Sequence, residues 1–136
     1  MSRPLVFMMG KSPAILPTDR RYARNHMWAS PADGLVRVGL SAYAVRLLGD
    51  VQHLEWSVEA GADVASGGQI GYVEASKATS DLYSPLAGRI ARINPQVLAQ
   101  PDLVNTNLYD RGWLLAFHAD AADLLSPEQY LAHLEA

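Results

Sequence analysis

Lys77 is the residue in this chain with the clearest capacity for chemistry. The sequence carries 11 basic residues, of which only Lys11 and Lys77 are lysines; the other nine are arginines. Yet a lysine stands at the centre of Val73-Glu74-Ala75-Ser76-Lys77-Ala78-Thr79-Ser80-Asp81-Leu82-Tyr83-Ser84-Pro85. Arginine cannot replace it where a primary amine must be acylated, because a guanidinium stays protonated whereas an ammonium can lose its proton. Acylation would remove the charge and extend the side chain into a long arm. A tethered arm can visit several active sites in turn at high effective concentration. The context therefore points to a lysine that carries a covalently attached cofactor.

Other chemistry is sparse. His26, His53, His118 and His133 are not at metal-ligand spacing from one another. The absence of cysteine excludes disulfides, thiolate metal sites and a Cys nucleophile, and leaves no protein thiol to compete with a dithiol cofactor. There is no Gly-x-Ser-x-Gly elbow and no phosphate-binding loop. Gly67-Gly68-Gln69-Ile70-Gly71 fits turns and bulges better than a nucleotide site. Trp28, Trp56 and Trp113 read as core or groove-lining residues. No metal site and no catalytic apparatus is expected.

The net charge of -3 is unevenly spread. Residues 1–50 hold seven basic and three acidic side chains, whereas residues 51–136 hold four basic and eleven acidic. The region around Lys77 is acidic, which suits a solvated surface or electrostatic docking to basic partners. No basic patch accompanies the aromatics, so a nucleic-acid partner is not expected. No apolar run approaches the ~20 residues of a membrane span. Leu5-Val6-Phe7-Met8-Met9 is shorter than the ~7–15-residue core of a secretory signal. A cytoplasmic location is the expectation.

The elements that must position Lys77 read as mainly β. Residues 1–20 read as an N-terminal arm, interrupted by Pro4, Gly10, Pro13 and Pro17, though Leu5 to Met9 could add a strand. Residues 21–136 read as the carrier domain. Ala32-Asp33-Gly34 predicts a turn and Leu35 to Leu40 a strand. Ser41 can cap a short helix through Leu48 that Gly49 stops, and Val51 to Trp56 predicts a further strand. Gln69 to Ala75 and Ser84 to Asn94 read as strands flanking Ser76 to Tyr83, which puts Lys77 at or near a hairpin tip. Pro101 to Arg111 reads as a loop and Trp113 to Phe117 as a buried strand. Ser126-Pro127-Glu128-Gln129 opens a last helix with a capping box. Short strands between Gly, Asn and Asp turns suggest a small barrel or sandwich with short helices attached.

The segment from Val73 to Pro85 resembles the lipoylation signature of the glycine cleavage H-protein family. The resemblance extends over roughly Tyr22 to Glu135. It includes Tyr22, His26 and Trp28, then Val38-Gly39-Leu40 with Tyr43-Ala44, then Leu48-Gly49-Asp50. Downstream it includes Gly88, Asn94, Pro101, Leu103-Val104-Asn105, Tyr109 and Gly112-Trp113-Leu114. It implies a barrel-sandwich hybrid of the lipoyl-domain type with short flanking helices, and a non-catalytic carrier with lipoate in amide linkage on Lys77. Asp81 matches an acidic position that helps hold the cargo amine in a surface cleft, and Glu74 belongs to the signature. The implied partners are the pyridoxal-phosphate glycine decarboxylase (P protein), the folate-dependent aminomethyltransferase (T protein) and dihydrolipoamide dehydrogenase (L protein). A lipoate ligase or a lipoyl/octanoyl transferase would attach the arm.

Departures from the family pattern bear on the cargo. His26-Met27-Trp28 stands where the family has His-Glu-Trp, and Tyr43 stands at a position often held by His. A cationic aminomethyl amine favours acidic neighbours, and Met27 removes one. Leu54-Glu55-Trp56-Ser57 replaces an acidic-Leu-Pro run in a stretch one residue longer than usual, and Asn107-Leu108 replaces Asp-Pro. Two alternatives therefore stand beside the glycine-cleavage reading. One is an H-like lipoate-binding carrier with another cargo, in sulfur oxidation or lipoyl relay; the other is an unmodified interaction module. A biotin carrier fits less well, since those typically flank the lysine with Met, whereas Ser76 and Ala78 stand here.

Overall fold

The computed structural model describes residues 3–136. Among these residues there are eleven strands and four short helices. In chain order they are β1 (Leu5–Met9), β2 (Ser12–Leu16), β3 (Arg21–Tyr22), β4 (Met27–Ala32), β5 (Leu35–Leu40), α1 (Ala42–Leu48), β6 (Val51–Trp56), β7 (Asp63–Val64), β8 (Gln69–Ala75), β9 (Thr79–Tyr83), β10 (Gly88–Ile93), α2 (Pro95–Ala99), α3 (Leu103–Thr106), β11 (Leu115–His118) and α4 (Pro127–Glu135). They form a six-stranded sheet of order β3-β4-β5-β11-β10-β7, a three-stranded sheet β6-β8-β9 and a separate hairpin β1-β2. All the strand pairings are antiparallel.

The main core lies between the two larger sheets. Met27, Ala29, Val38, Leu115 and Phe117 of the first meet Leu54, Ile70, Val73 and Leu82 of the second in one apolar cluster. The first sheet is also covered on its other face. There Trp28, Trp113 and Ala116 join Leu16, Tyr22 and Tyr130, with Leu5, Phe7, Leu131 and Leu134 packed alongside. Adjacent strand residues point to opposite faces, so covering both faces buries Met27, Trp28 and Ala29 in succession. The same reason accounts for the unbroken apolar run Leu115 to Phe117 in β11.

Local signals explain the ends of the elements. Asp33 and Gly34 both have positive φ, 55° and 78°, which matches the twist of the β4–β5 hairpin. Ser126 caps α4, with its Oγ accepting the Gln129 N–H while Gln129 accepts the Ser126 N–H. The strand that Leu5 to Met9 could add is present as β1. It pairs with β2, and Ala14 and Leu16 are fully buried.

Three expectations are corrected. Ser76 to Tyr83 is not one long tip. Only Ser76 to Ala78 separates β8 from β9, and the Ala75 N–H donates to the Ala78 carbonyl at 2.9 Å. Thr79, Ser80 and Asp81 look like loop residues because β9 is an edge strand whose side chains are exposed apart from Leu82. Polar side chains on such an edge discourage pairing with other chains. The strand read over Ser84 to Asn94 is β10, which begins at Gly88 and belongs to the other sheet. Asn94-Pro95 then opens α2 and α3 interrupts the loop read over Pro101 to Arg111, two helical turns that the sequence reading did not foresee.

Candidate functional site

The Lys77 tip is fixed by the end of α1. Ser41 starts this helix, its Oγ accepting the Ala44 N–H at 3.3 Å. Gly49 ends it with φ of 84° and donates its N–H to the Val45 carbonyl. The last carbonyls of a helix lack intrahelical partners, and the tip supplies them here. The Lys77 backbone N–H donates to the Leu48 carbonyl at 2.9 Å, and the Ser76 N–H donates to the Asp50 carbonyl at 2.9 Å. Ser76 Oγ accepts the Asp50 N–H, also at 2.9 Å. Asn105, arriving from α3, donates from Nδ2 to the Gly49 carbonyl at 3.0 Å. Its Oδ1 accepts the Val51 N–H at 2.8 Å. Gly49 must be small, because a Cβ there would strike the Ser76 hydroxyl and come within 3.0 Å of Lys77 Cγ.

This bracing leaves the Lys77 side chain exposed. Its ammonium Nζ donates to the Arg46 carbonyl at 3.4 Å, at the partially negative end of the helix. The amine is therefore accessible to an acylating enzyme while its backbone is immobilised.

Two grooves flank α1 beside the tip. The first, of about 500 Å³, contains Lys77 and is walled by Pro13, Ile15, Val45, Arg46 and Leu108. The second, of about 330 Å³, is walled by Met27, Ala44, Leu47 and Leu82, with Asp81 and His26 at its polar margin. Other hollows, including one of about 810 Å³ beside Arg20 and Pro127, do not include Lys77. Asp81 faces Tyr72 and Glu74 faces Thr79 across the β8–β9 ladder. Both carboxylates are exposed. Asp81 lines the second groove, whereas Glu74 lies outside both.

The departures at Met27 and Tyr43 acquire a physical context. Met27 is only 2% exposed and forms part of the second groove's wall, so an apolar thioether stands where the resemblance leads one to expect a carboxylate. Tyr43 lies between Phe7 of β1 and His26, with ring centroids 5.8 Å and 4.6 Å away. His26 in turn has φ of 73° and its Nδ1 is 2.9 Å from Tyr130 Oη, which is itself 2.9 Å from Ser41 Oγ. Burial, with the nearby His133 assisting, holds the His26 imidazole below its ordinary pKa. A neutral ring accepting at Nδ1 is consistent with Ser41 donating to Tyr130 and Tyr130 donating to His26. Among the described residues, no three His, Cys, Asp or Glu side chains converge to hold a metal ion.

Sequence reasoning singled out Lys77, Asp81 and Glu74 but assigned no bracing role to Gly49, Ser76 or Asn105. Asn105 bonds to Val51, 54 residues away, and no local pattern announces such a partner.

A lysine at a tight strand-turn-strand tip, on antiparallel sheets packed around one core, is the architecture of a lipoyl-domain-like barrel-sandwich hybrid. A family model described as Glycine cleavage H-protein matches residues 20–136, and the chain belongs to that family. A glycine cleavage system H protein of Alcanivorax borkumensis is 40% identical over 124 residues, covering 88% of this chain and 96% of that protein. One of Thermobifida fusca is 36% identical over 117 residues, covering 85% and 92%. The crystal structure of a glycine cleavage system H protein from Mycobacterium marinum matches with a TM-score of 0.79 at 34% identity, over 89% of this chain and all of that one.

Proposed function

We propose that this chain is a lipoyl carrier whose Lys77 amine holds lipoate in amide linkage and which serves glycine cleavage. One observation carries the reading: the Lys77 amine stands exposed at a tip whose backbone is braced by Leu48 and Asp50, at the centre of a family signature. The chain's residues suit the group, since the amine is accessible and a groove with apolar side chains in its wall lies on either side of α1. Lipoate, when bound, would supply a disulfide whose S–S bond is reduced as an aminomethyl group is taken up, leaving a dithiol once that group has been released.

The protein's own contribution is attachment, presentation and shelter. Acylation removes the Lys77 charge, and the braced tip holds the attachment point in one orientation for every partner. Asp81, at the margin of the second groove, attracts a cationic amine. Glu74, on the same hairpin, adds negative charge close to the tip and fits a role in recognition by the attaching enzyme. The chain itself is read as non-catalytic. Its partners in this reading are glycine decarboxylase, the aminomethyltransferase and dihydrolipoamide dehydrogenase, with a lipoate ligase or lipoyl/octanoyl transferase loading the arm. A cytoplasmic location is part of the same reading; among the described residues, no helix is long and apolar enough to cross a membrane.

A second reading keeps the lipoyl arm and changes its cargo. The buried Met27 in the groove wall favours it, because the carboxylate that would greet a cationic amine is replaced by an apolar surface. The test of attachment is an intact mass with peptide mapping of protein made in a lipoate-supplied host. A lipoyl increment on Lys77 is expected; a folded chain left unmodified by a competent ligase would refute the carrier reading. Glycine decarboxylation and exchange with the matching decarboxylase then separates the two cargoes.

A further inference from the structure

The β1–β2 hairpin lies outside the residues that the family model matches, which begin at residue 20. It is nevertheless pinned along α1 at two points. Arg46 Nη2 donates to the Pro13 carbonyl at 3.1 Å. Tyr109 Oη donates to the Ile15 carbonyl at 2.6 Å while accepting the Ala42 N–H at 2.9 Å. Burial pushes the Tyr109 hydroxyl up to about 12, so it stays protonated and keeps donating across the neutral range. Between these two pins the hairpin turns what would be an open flank of α1 into the first groove, with Pro13 and Ile15 facing Val45 and Leu108.

Lys77 opens into this groove. Its side chain lines the first groove and not the second, and its amine reaches the Arg46 carbonyl on the same side of α1. Cavities of about 300–1,000 Å³ hold small ligands, and this one, at about 500 Å³, is the roomier of the two. The apolar strip in its wall, Pro13, Ile15, Val45 and Leu108, suits a medium-chain acyl group ending in a dithiolane. Ile15 is 40% exposed, an uncovered β-branched side chain at the groove's edge that an acyl chain would bury.

We infer that the hairpin builds a second resting site for the acyl arm of Lys77, on the opposite flank of α1 from the groove that contains Asp81. The occupant is the chain's own lipoyl group, so the proposal rests on the carrier reading above. A carrier with two resting sites can hold the arm differently according to what it bears. The first groove, where Arg46 offsets Asp50 beside the apolar strip of Pro13, Ile15, Val45 and Leu108, suits the uncharged arm, and the second, whose lining carries Asp81 and no arginine or lysine, suits a cationic load.

The test uses the full chain, lipoylated, verified by mass and reduced. The rate at which iodoacetamide alkylates the dithiol is compared with the rate in the urea-unfolded chain. Protection is expected in the folded protein. Ile15→Asp, at an exposed position, should raise the rate on the order of tenfold, the effect of about 1.4 kcal/mol of lost burial. Leu47→Asp, which alters the second groove at a residue 53% exposed, should leave the rate unchanged. Backbone amide NMR shifts on lipoylation should concentrate at Ala42, Val45 and Arg46. Shifts confined to Thr79 and Ser80, protection lost only in Leu47→Asp, or a dithiol that already reacts at the unfolded rate would each overturn the first-groove site while leaving the carrier reading intact. A folded chain that takes no lipoyl group under a competent ligase would overturn the carrier reading and this site with it.

Discussion

The backbone N–H of Lys77 caps the carbonyl of Leu48 at 2.9 Å. The residue proposed to carry the arm is thus also the residue that finishes α1. Mobility of the arm and rigidity of its root are separated within one residue: the side chain is exposed and the main chain is locked. Substitutions that act on the side chain alone should therefore be separable from those that act on the brace.

Lys77→Arg keeps a positive charge and the backbone bond but removes the acylatable amine. It should abolish the lipoyl mass increment while changing stability by no more than about 0.5 kcal/mol, as for exposed positions generally. Intact mass and a urea titration check both halves. A modified Lys77→Arg protein would mean that the arm is attached elsewhere.

Gly49→Ala acts on the brace. The position combines φ of 84° with a side chain that would collide with the Ser76 hydroxyl, so about 1–3 kcal/mol should be lost. The same variant should take up lipoate more slowly under a fixed ligase concentration, because the tip must shift. Normal stability and normal loading together would contradict the packing described at this corner.

Asn105→Ala leaves the Val51 N–H and the Gly49 carbonyl without their partners. Unpaired groups of this kind cost about 1–3 kcal/mol each when buried, and solvent reaches part of this corner. A loss of about 2–4 kcal/mol in chemical denaturation is therefore expected, with the far-UV circular dichroism of the folded state unchanged.

Met27→Glu tests the cargo. A carboxyl placed at a position 2% exposed costs about 1–3 kcal/mol of stability if it stays neutral and more if it ionises unpaired. If the missing carboxylate limits aminomethyl carriage, exchange with the decarboxylase should nonetheless rise. Unchanged exchange in a folded, fully lipoylated Met27→Glu chain would count against that explanation and strengthen the other-cargo reading.

His26 predicts a pH dependence. Its folded pKa lies below the ordinary 6.5, chiefly through burial and then through His133. As pH falls through 6.5 the unfolded chain takes up the proton before the folded chain does, so stability declines with acidification until the folded imidazole also ionises. Above that window the term vanishes. His26→Asn, a residue that tolerates the positive φ found here, should flatten the fall of Tm on the acid side of pH 6.5. An unaltered slope would assign the acid sensitivity to other groups.

Much of the local structure was legible because its causes are local. The Asp33-Gly34 turn, the Ser41 and Ser126 caps, the Gly49 stop and the strands over Leu35 to Leu40 and Val51 to Trp56 follow from side chains that bond or pack within a few residues. β9 was misread because its Thr-Ser-Asp run is polar, and polarity in an edge strand imitates a loop. α2 had a readable signal in Asn94-Pro95, a cap followed by proline at the first helical position.

The sequence by itself pointed to the chemical type of the site now proposed and determined the mainly β character of the chain. It singled out one lysine among arginines, in a setting where an amine can be acylated and a guanidinium cannot. Only the tertiary structure decided how that lysine is held, which groove it opens into and where the β1–β2 hairpin packs. Those outcomes depend on contacts such as Lys77 with Leu48, Asn105 with Val51 and Tyr109 with Ile15, the last separated by 94 residues. Side-chain periodicity and capping report on neighbours in the chain; contacts of this range are formed when sheets and helices pack, and they leave no local pattern to read.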